Sequence, residues 1–153
     1  MFIEQTLGEN QMINKGKILS ILLLACFLMS LTTSAVSAKA EKPKITITHI
    51  PSYGVSGSAS GIVKGVNPSK YKVAVYIYVS GWWNKPYWNS PLTKIKSDGT
   101  WSCNINTGGN DIKATRIAAF LVPAKYVPPK MAGEKNLPSK LYKNSVAYSI
   151  VKR

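Results

Sequence analysis

Carboxylates are scarce in this chain. Six Asp and Glu residues stand against 20 Lys and Arg, and there is one histidine, His49. Hydrolysis of a glycosidic bond ordinarily takes two carboxylates placed across one site. A metal centre takes several His, Cys or acidic ligands at close spacing. Neither pattern occurs, so the chain reads as non-catalytic, with no cofactor and no metal. Cysteine is as sparse, at Cys26 and Cys103. Pairing Cys103 with His49 as nucleophile and base would place both inside strands, which argues against that chemistry. The longest apolar run, Ile18 to Leu31, has 14 residues, short of the roughly 18 that a membrane-spanning helix needs. Beyond it no helical period is found, which excludes a helical domain for the rest of the chain.

The first 38 residues have the order of a secretory leader. Met12 to Lys17 (MINKGK) is a short positive start, Ile18 to Leu31 is the apolar centre, and Val36-Ser37-Ala38 or Ala38-Lys39-Ala40 is a small-residue cleavage pattern. The expectation is that residues 1–38 are removed and that the protein is secreted or periplasmic. Residues 1–11 carry Glu4 and Glu9 and suit no part of a leader. The true start is therefore expected at Met12, with Gly8-Glu9 read as the codons of a purine-rich ribosome-binding site. Leu23-Leu24-Ala25-Cys26 resembles a lipoprotein box, which keeps a lipid-anchored form through Cys26 beside the free one.

Removal of the leader takes away two lysines and two glutamates, so the net charge of +14 is kept by the mature domain. Such a field draws in anionic polymers and surfaces. Sixteen of the 18 remaining basic residues are lysines, which carry a point charge without arginine's planar fork. Cys103 is then the lone cysteine of residues 39–153, so no internal disulfide can form and the core alone must hold the fold. A chain of about 115 residues is long enough for that.

Strand signals recur through the mature region, set apart by Gly, Pro, Asn, Asp and Ser. Residues 44–50 (KITITHI), 56–66, 70–80 (KYKVAVYIYVS), 91–96, 100–106 (TWSCNIN), 114–122 (ATRIAAFLV) and 145–152 read as strands. Residues 125–140, with three prolines, read as a long loop. In 70–80 the residues Tyr71, Val73, Val75, Ile77 and Val79 share the core face. Residues 114–122 are apolar almost throughout, as a central strand covered on both sides should be. Asp98-Gly99 marks a hairpin. Seven short strands of this kind predict an all-β, immunoglobulin-like antiparallel sandwich. A small barrel is the alternative.

If consecutive strands alternate in direction, residues 51–55, 81–90 and 107–113 share one end. Asp98 and Asp111 then fall at opposite ends, too far apart to act as a pair. The segment 81–90 (GWWNKPYWNS) is the densest in chemistry, with three tryptophans and a tyrosine within seven residues. Flat aromatic faces stack on the apolar faces of sugar rings, and nearby polar groups hydrogen-bond the hydroxyls. Trp82, Trp83, Asn84, Lys85, Tyr87, Trp88, Asn110 and Asp111 are therefore the candidate ligand-binding residues. Trp82 and Trp83 are adjacent in extended chain and should point opposite ways, one buried and one exposed. Asp111 has a second reading, as a cap for its own turn.

The expected partner is a carbohydrate polymer or an anionic envelope polymer. The same aromatic and lysine residues would suit a membrane surface or a partner protein's pocket. Single-stranded nucleic acid would also stack on them, but export makes it an unexpected partner. The chain is read as a monomer.

Three stretches, Val73 to Trp83, Asp98 to Asp111 and Ala114 to Pro123, together resemble a small β-sandwich module of secreted bacterial proteins often found beside glycoside hydrolase domains. The resemblance covers roughly residues 44–153. It implies a non-catalytic, glycan-related role and assigns no functional residue. The present chain departs from it in its lysine content and in carrying no catalytic domain.

Overall fold

The computed structural model describes residues 41–153. The leader, its cleavage patterns and Cys26 lie outside the described residues. The described chain folds into nine strands, β1 (Lys44–His49), β2 (Ser58–Lys64), β3 (Tyr71–Tyr78), β4 (Trp82–Lys85), β5 (Thr93–Lys94), β6 (Thr100–Asn104), β7 (Arg116–Pro123), β8 (Ala132–Glu134) and β9 (Ala147–Lys152). One short α-helix, α1 (Ser139–Asn144), precedes β9.

Two antiparallel sheets result. One has the order β1-β2-β6, the other β8-β4-β3-β7-β9, with β5 also paired to β3. All pairings are antiparallel. The alternation expected of β3 is realised: Val73, Val75 and Ile77 turn inward with Ile117, Ala119 and Leu121 of β7, and meet Ile45, Ala59, Val63, Trp101 and Cys103 of the other sheet. β7 is buried from Ile117 to Val122, so it is the doubly covered centre that its composition predicts.

The other face of the larger sheet has its own core. Ala74, Tyr76, Trp82, Ala118, Phe120 and Val122 are covered by Met131 and Leu141. This corrects the reading of residues 125–140 as a plain loop. The segment crosses the outer face of the sheet, contributes β8, and leads into α1, whose Leu141 is fully buried. The Tyr76 hydroxyl donates to the Pro129 carbonyl at 3.0 Å and ties the segment down.

The count of seven strands is corrected to nine, because β4 and β8 were not expected. β4 and β5 lie end to end along β3, opposite Val75–Tyr78 and Lys72–Val73 respectively. β8 joins β4 at a bulge where two backbones approach closely. A Cβ on Gly81 would sit 2.0 Å from the Gly133 carbonyl oxygen, so only glycine fits there. Gly61 of β2 is the same case, since its Cβ would meet the Thr46 carbonyl at 2.0 Å and the Trp101 ring at 2.8 Å. The Asp98-Gly99 hairpin forms with Gly99 at φ 83° and joins β5 to β6. The Ile95–Trp101 bridge beside it links the two sheets along one edge.

Candidate functional site

Strand directions set which loops meet. β1, β3 and β6 run toward one end, called the upper end here, and β2, β4, β5 and β7 run away from it. Residues 51–55 and 107–113 do meet at that end: the Gly54 N–H donates to the Ile112 carbonyl at 2.9 Å. Arg153 pins them together. Its guanidinium donates to the carbonyls of Pro51 at 2.7 Å, Ser52 at 2.9 Å, Val55 at 2.6 Å and Ile112 at 3.3 Å. Nothing in the sequence marks this clamp, because a single basic residue carries no local pattern.

The segment 81–90 is not one end loop. β3 turns back at residues 79–81, where Ser80 takes a left-handed φ of 58°. Residues 82–85 then descend as β4, and a tight turn follows at Tyr87–Ser90, closed by the Ser90 N–H to the Tyr87 carbonyl at 3.2 Å. The Lys85–Pro86 peptide is cis. The eight candidate residues are therefore divided among three places.

Trp82 and Asn84 face the outer core and are buried. The Trp82 ring packs edge-on against Tyr78 with centroids 5.3 Å apart. The Asn84 Oδ1 accepts the Met131 N–H at 3.2 Å. Both are corrected from ligand contacts to structural residues, because the register of β4 on β3 turns them toward the 125–144 segment. Tyr87 and Trp88 stand on the exposed turn, half-exposed at the sheet edge and away from the upper end.

Trp83, Lys85, Asn110 and Asp111 do come together. With Val79, Ser80, Thr107, Gly108 and Gly109 they line a cleft of about 510 Å³ between the β3–β4 hairpin and the loop after β6. That volume lies in the range of small-molecule sites. Trp83 is the exposed member of the tryptophan pair, at 36%. Its Nε1 donates to the Val79 carbonyl at 3.3 Å. Its Cζ2 lies close over Gly133, where a Cβ would stand only 3.2 Å away. The indole is thus held in place before any ligand arrives.

The floor of the cleft is an ion pair. Lys85 Nζ contacts Asp111 Oδ2, with side-chain exposures of 8% and 13%, and also donates to Thr107 Oγ1 at 2.9 Å. The same carboxylate oxygen accepts the Thr107 N–H at 2.9 Å and the Gly108 N–H at 3.1 Å. Asp111 is therefore both the cap of its own turn and the counter-ion of Lys85. Lys85 lies opposite Val75, on the inner face, and reaches across the open edge of the sandwich. A buried pair with these extra hydrogen bonds fixes the relative position of β4 and the loop, since losing either partner would strand a charge. Thr107 and Ser80 were missed by sequence reasoning; the turn signal of Gly108-Gly109 pointed at the neighbourhood but not at them.

Cys103 is buried and free. Burial pushes its thiol up to about 11, which matches a small hydrophobe better than a nucleophile. Asp98 and Asp111 precede and follow β6 and so lie at its opposite ends. Among the described residues, no cluster of three or more His, Cys, Asp or Glu side chains could hold a metal ion, and no helix is long and apolar enough to cross a membrane. Comparison with family models, with curated proteins and with solved structures finds no match.

Proposed function

We propose that this protein is a secreted, non-catalytic module that binds carbohydrate in the upper cleft. Trp83 would stack on the apolar face of a sugar ring, while Asn110, Thr107 and Ser80 would meet its hydroxyls. The observation that carries this reading is the immobilised indole beside a rim of polar groups whose shape is fixed by the Lys85–Asp111 pair. A preformed site loses little freedom on binding. The secretory leader and the resemblance to a module that accompanies glycan-degrading domains point the same way.

We place the fold in the immunoglobulin-like group. The support is the strand order: β1-β2-β6 facing β4-β3-β7-β9 repeats the arrangement of two sheets in such sandwiches, with β4 as an added edge strand. The exposed Tyr87–Trp88 turn favours a second reading, a protein or envelope surface that receives these rings in a pocket.

The test is a glycan array and a polysaccharide pull-down in low salt, run with the wild type and with Trp83→Ala. Retention of a neutral glycan by the wild type and its loss in the variant is the expected result. No retention of any glycan would overturn the proposal.

A further inference from the structure

Charge is placed unusually along the ladders. Residues directly opposite in an antiparallel pair hold their Cβ atoms about 5 Å apart, where like charges repel. Lys44 stands opposite Lys64 in the smaller sheet, and Lys72 stands opposite Lys94 in the larger one. Both pairs lie at the lower end, because β1 and β3 begin there and β2 and β5 finish there. Lys70 and Lys96 sit beside them in the chain. The Val63 N–H bonds the Gly99 carbonyl at 2.9 Å, which brings the β5–β6 hairpin up against the end of β2.

Little opposes this charge. Glu41 shares a shallow groove with Lys44 and Lys64 on the outer face of the smaller sheet. The Asp98 carboxylate accepts the Thr100 N–H at 2.9 Å and its hydroxyl at 2.7 Å. Among the described residues neither acid forms an ion pair with these lysines; the pair that does form is Lys85–Asp111, at the other end. A third like-charged pair, Arg116 opposite Lys152, lies at the upper end. There the guanidinium rests 4.9 Å from the Tyr78 ring centroid and so has a partner.

We propose that the lower end is a docking surface for a linear polyanion, an acidic polysaccharide bearing a carboxylate on each repeat. Lysine ammonium groups act as point charges and read charge density rather than the geometry of one group. Two opposed pairs, one on the outer face of each sheet, with Lys70 and Lys96 near them in the chain, present such density at this end of the sandwich. Bound carboxylates would relieve the repulsion that the free domain carries. This surface is separate from the upper cleft and does not depend on Trp83.

The test uses polygalacturonate as the probe, titrated at low and moderate salt. Replacing Lys44, Lys64, Lys72 and Lys94 by Gln is expected to weaken binding about tenfold or more and to flatten its salt dependence. A matched variant with Lys113, Lys130, Lys135 and Lys152 replaced by Gln removes the same net charge away from the lower end and should bind nearly as the wild type does. Equal losses in the two variants would overturn the proposal, since net charge alone would then explain binding. Failure of the wild type to bind polygalacturonate, or tighter binding to duplex DNA or to phosphatidylglycerol vesicles, would overturn it as well. Loss of folding does not confound the result, because removing opposed lysines should raise Tm at low salt; a fall in Tm would contradict the uncompensated repulsion on which the surface rests.

Discussion

Trp82 and Trp83 are neighbours with different work. The strand pattern places them on opposite sides of β4, and the hairpin at residues 79–81 decides which side is which. Trp82 is buried in the outer core, so Trp82→Ala should cost about 3–5 kcal/mol in stability. Trp83→Ala should leave a denaturant midpoint much closer to the wild type. Urea melts of the two variants check this, and equal losses would contradict the division. Gly61→Ala is expected to destabilise by about 1–3 kcal/mol, because its Cβ would press on the Thr46 carbonyl and the Trp101 ring. The glycine-rich look of residues 56–66 signalled a close approach somewhere; only the packing of Trp101 shows that it is at Gly61.

Cys103 gives a pH test at the same scale. Its thiol ionises near 9.0 when unperturbed and is pushed up to about 11 by burial in the fold. A group raised in the folded state stabilises fully below its unfolded value, and that contribution is lost as pH rises through the folded one. Stability should therefore decline between pH 9 and 11, and a Cys103→Ala variant should lose part of that slope. Buried Tyr76, raised by desolvation and then by Tyr126, adds a loss at still higher pH. Alkylation by iodoacetamide at neutral pH should be slow until the chain unfolds.

At the scale of elements, the strands with clean alternation or continuous apolar character were legible. β3 and β7 are the clearest, and they form the centre of the larger sheet. β8 was not legible, and the reason is physical. Its three residues, Ala-Gly-Glu, have no apolar alternation, and they form a strand because Gly81 lets the two backbones meet. α1 was missed for a like reason: six residues with one buried side chain carry no period. The covering segment nonetheless closes a core. Leu141→Ala should cost about 2–5 kcal/mol, measured by thermal or urea unfolding. A near-neutral effect would mean that the segment rests on the sheet without supporting it. The ion pair between β4 and the loop after β6 is a second element-level device. Lys85→Ala should destabilise by about 3 kcal/mol and also weaken ligand binding, because the cleft loses its floor.

At the scale of the molecule, the candidate site was half legible. The aromatic and polar composition of residues 81–90 and 108–111 pointed at segments that line the cleft. The opposite facing of Trp82 and Trp83 was legible; what could not be read was which face of β4 lines the cleft, so that of its four candidates Trp83 and Lys85 join Asn110 and Asp111 there. The fold class needed only pattern and spacing, whereas the cleft needed the register between two strands. The whole molecule also carries an excess of positive charge, and self-repulsion lowers the stability of such a compact state. Tm should therefore rise as salt increases from low values to the physiological range. Binding in the cleft and binding at the lower end should respond to salt in opposite measure, the first nearly indifferent and the second falling.

The measurement that bears most directly on the cleft is calorimetric titration of the best neutral oligosaccharide from the array against the wild type, Trp83→Ala and Trp88→Ala at moderate salt. One site per chain, loss of binding in Trp83→Ala and unchanged affinity in Trp88→Ala are expected. Retained binding in Trp83→Ala with loss in Trp88→Ala would contradict this and move the site to the exposed turn.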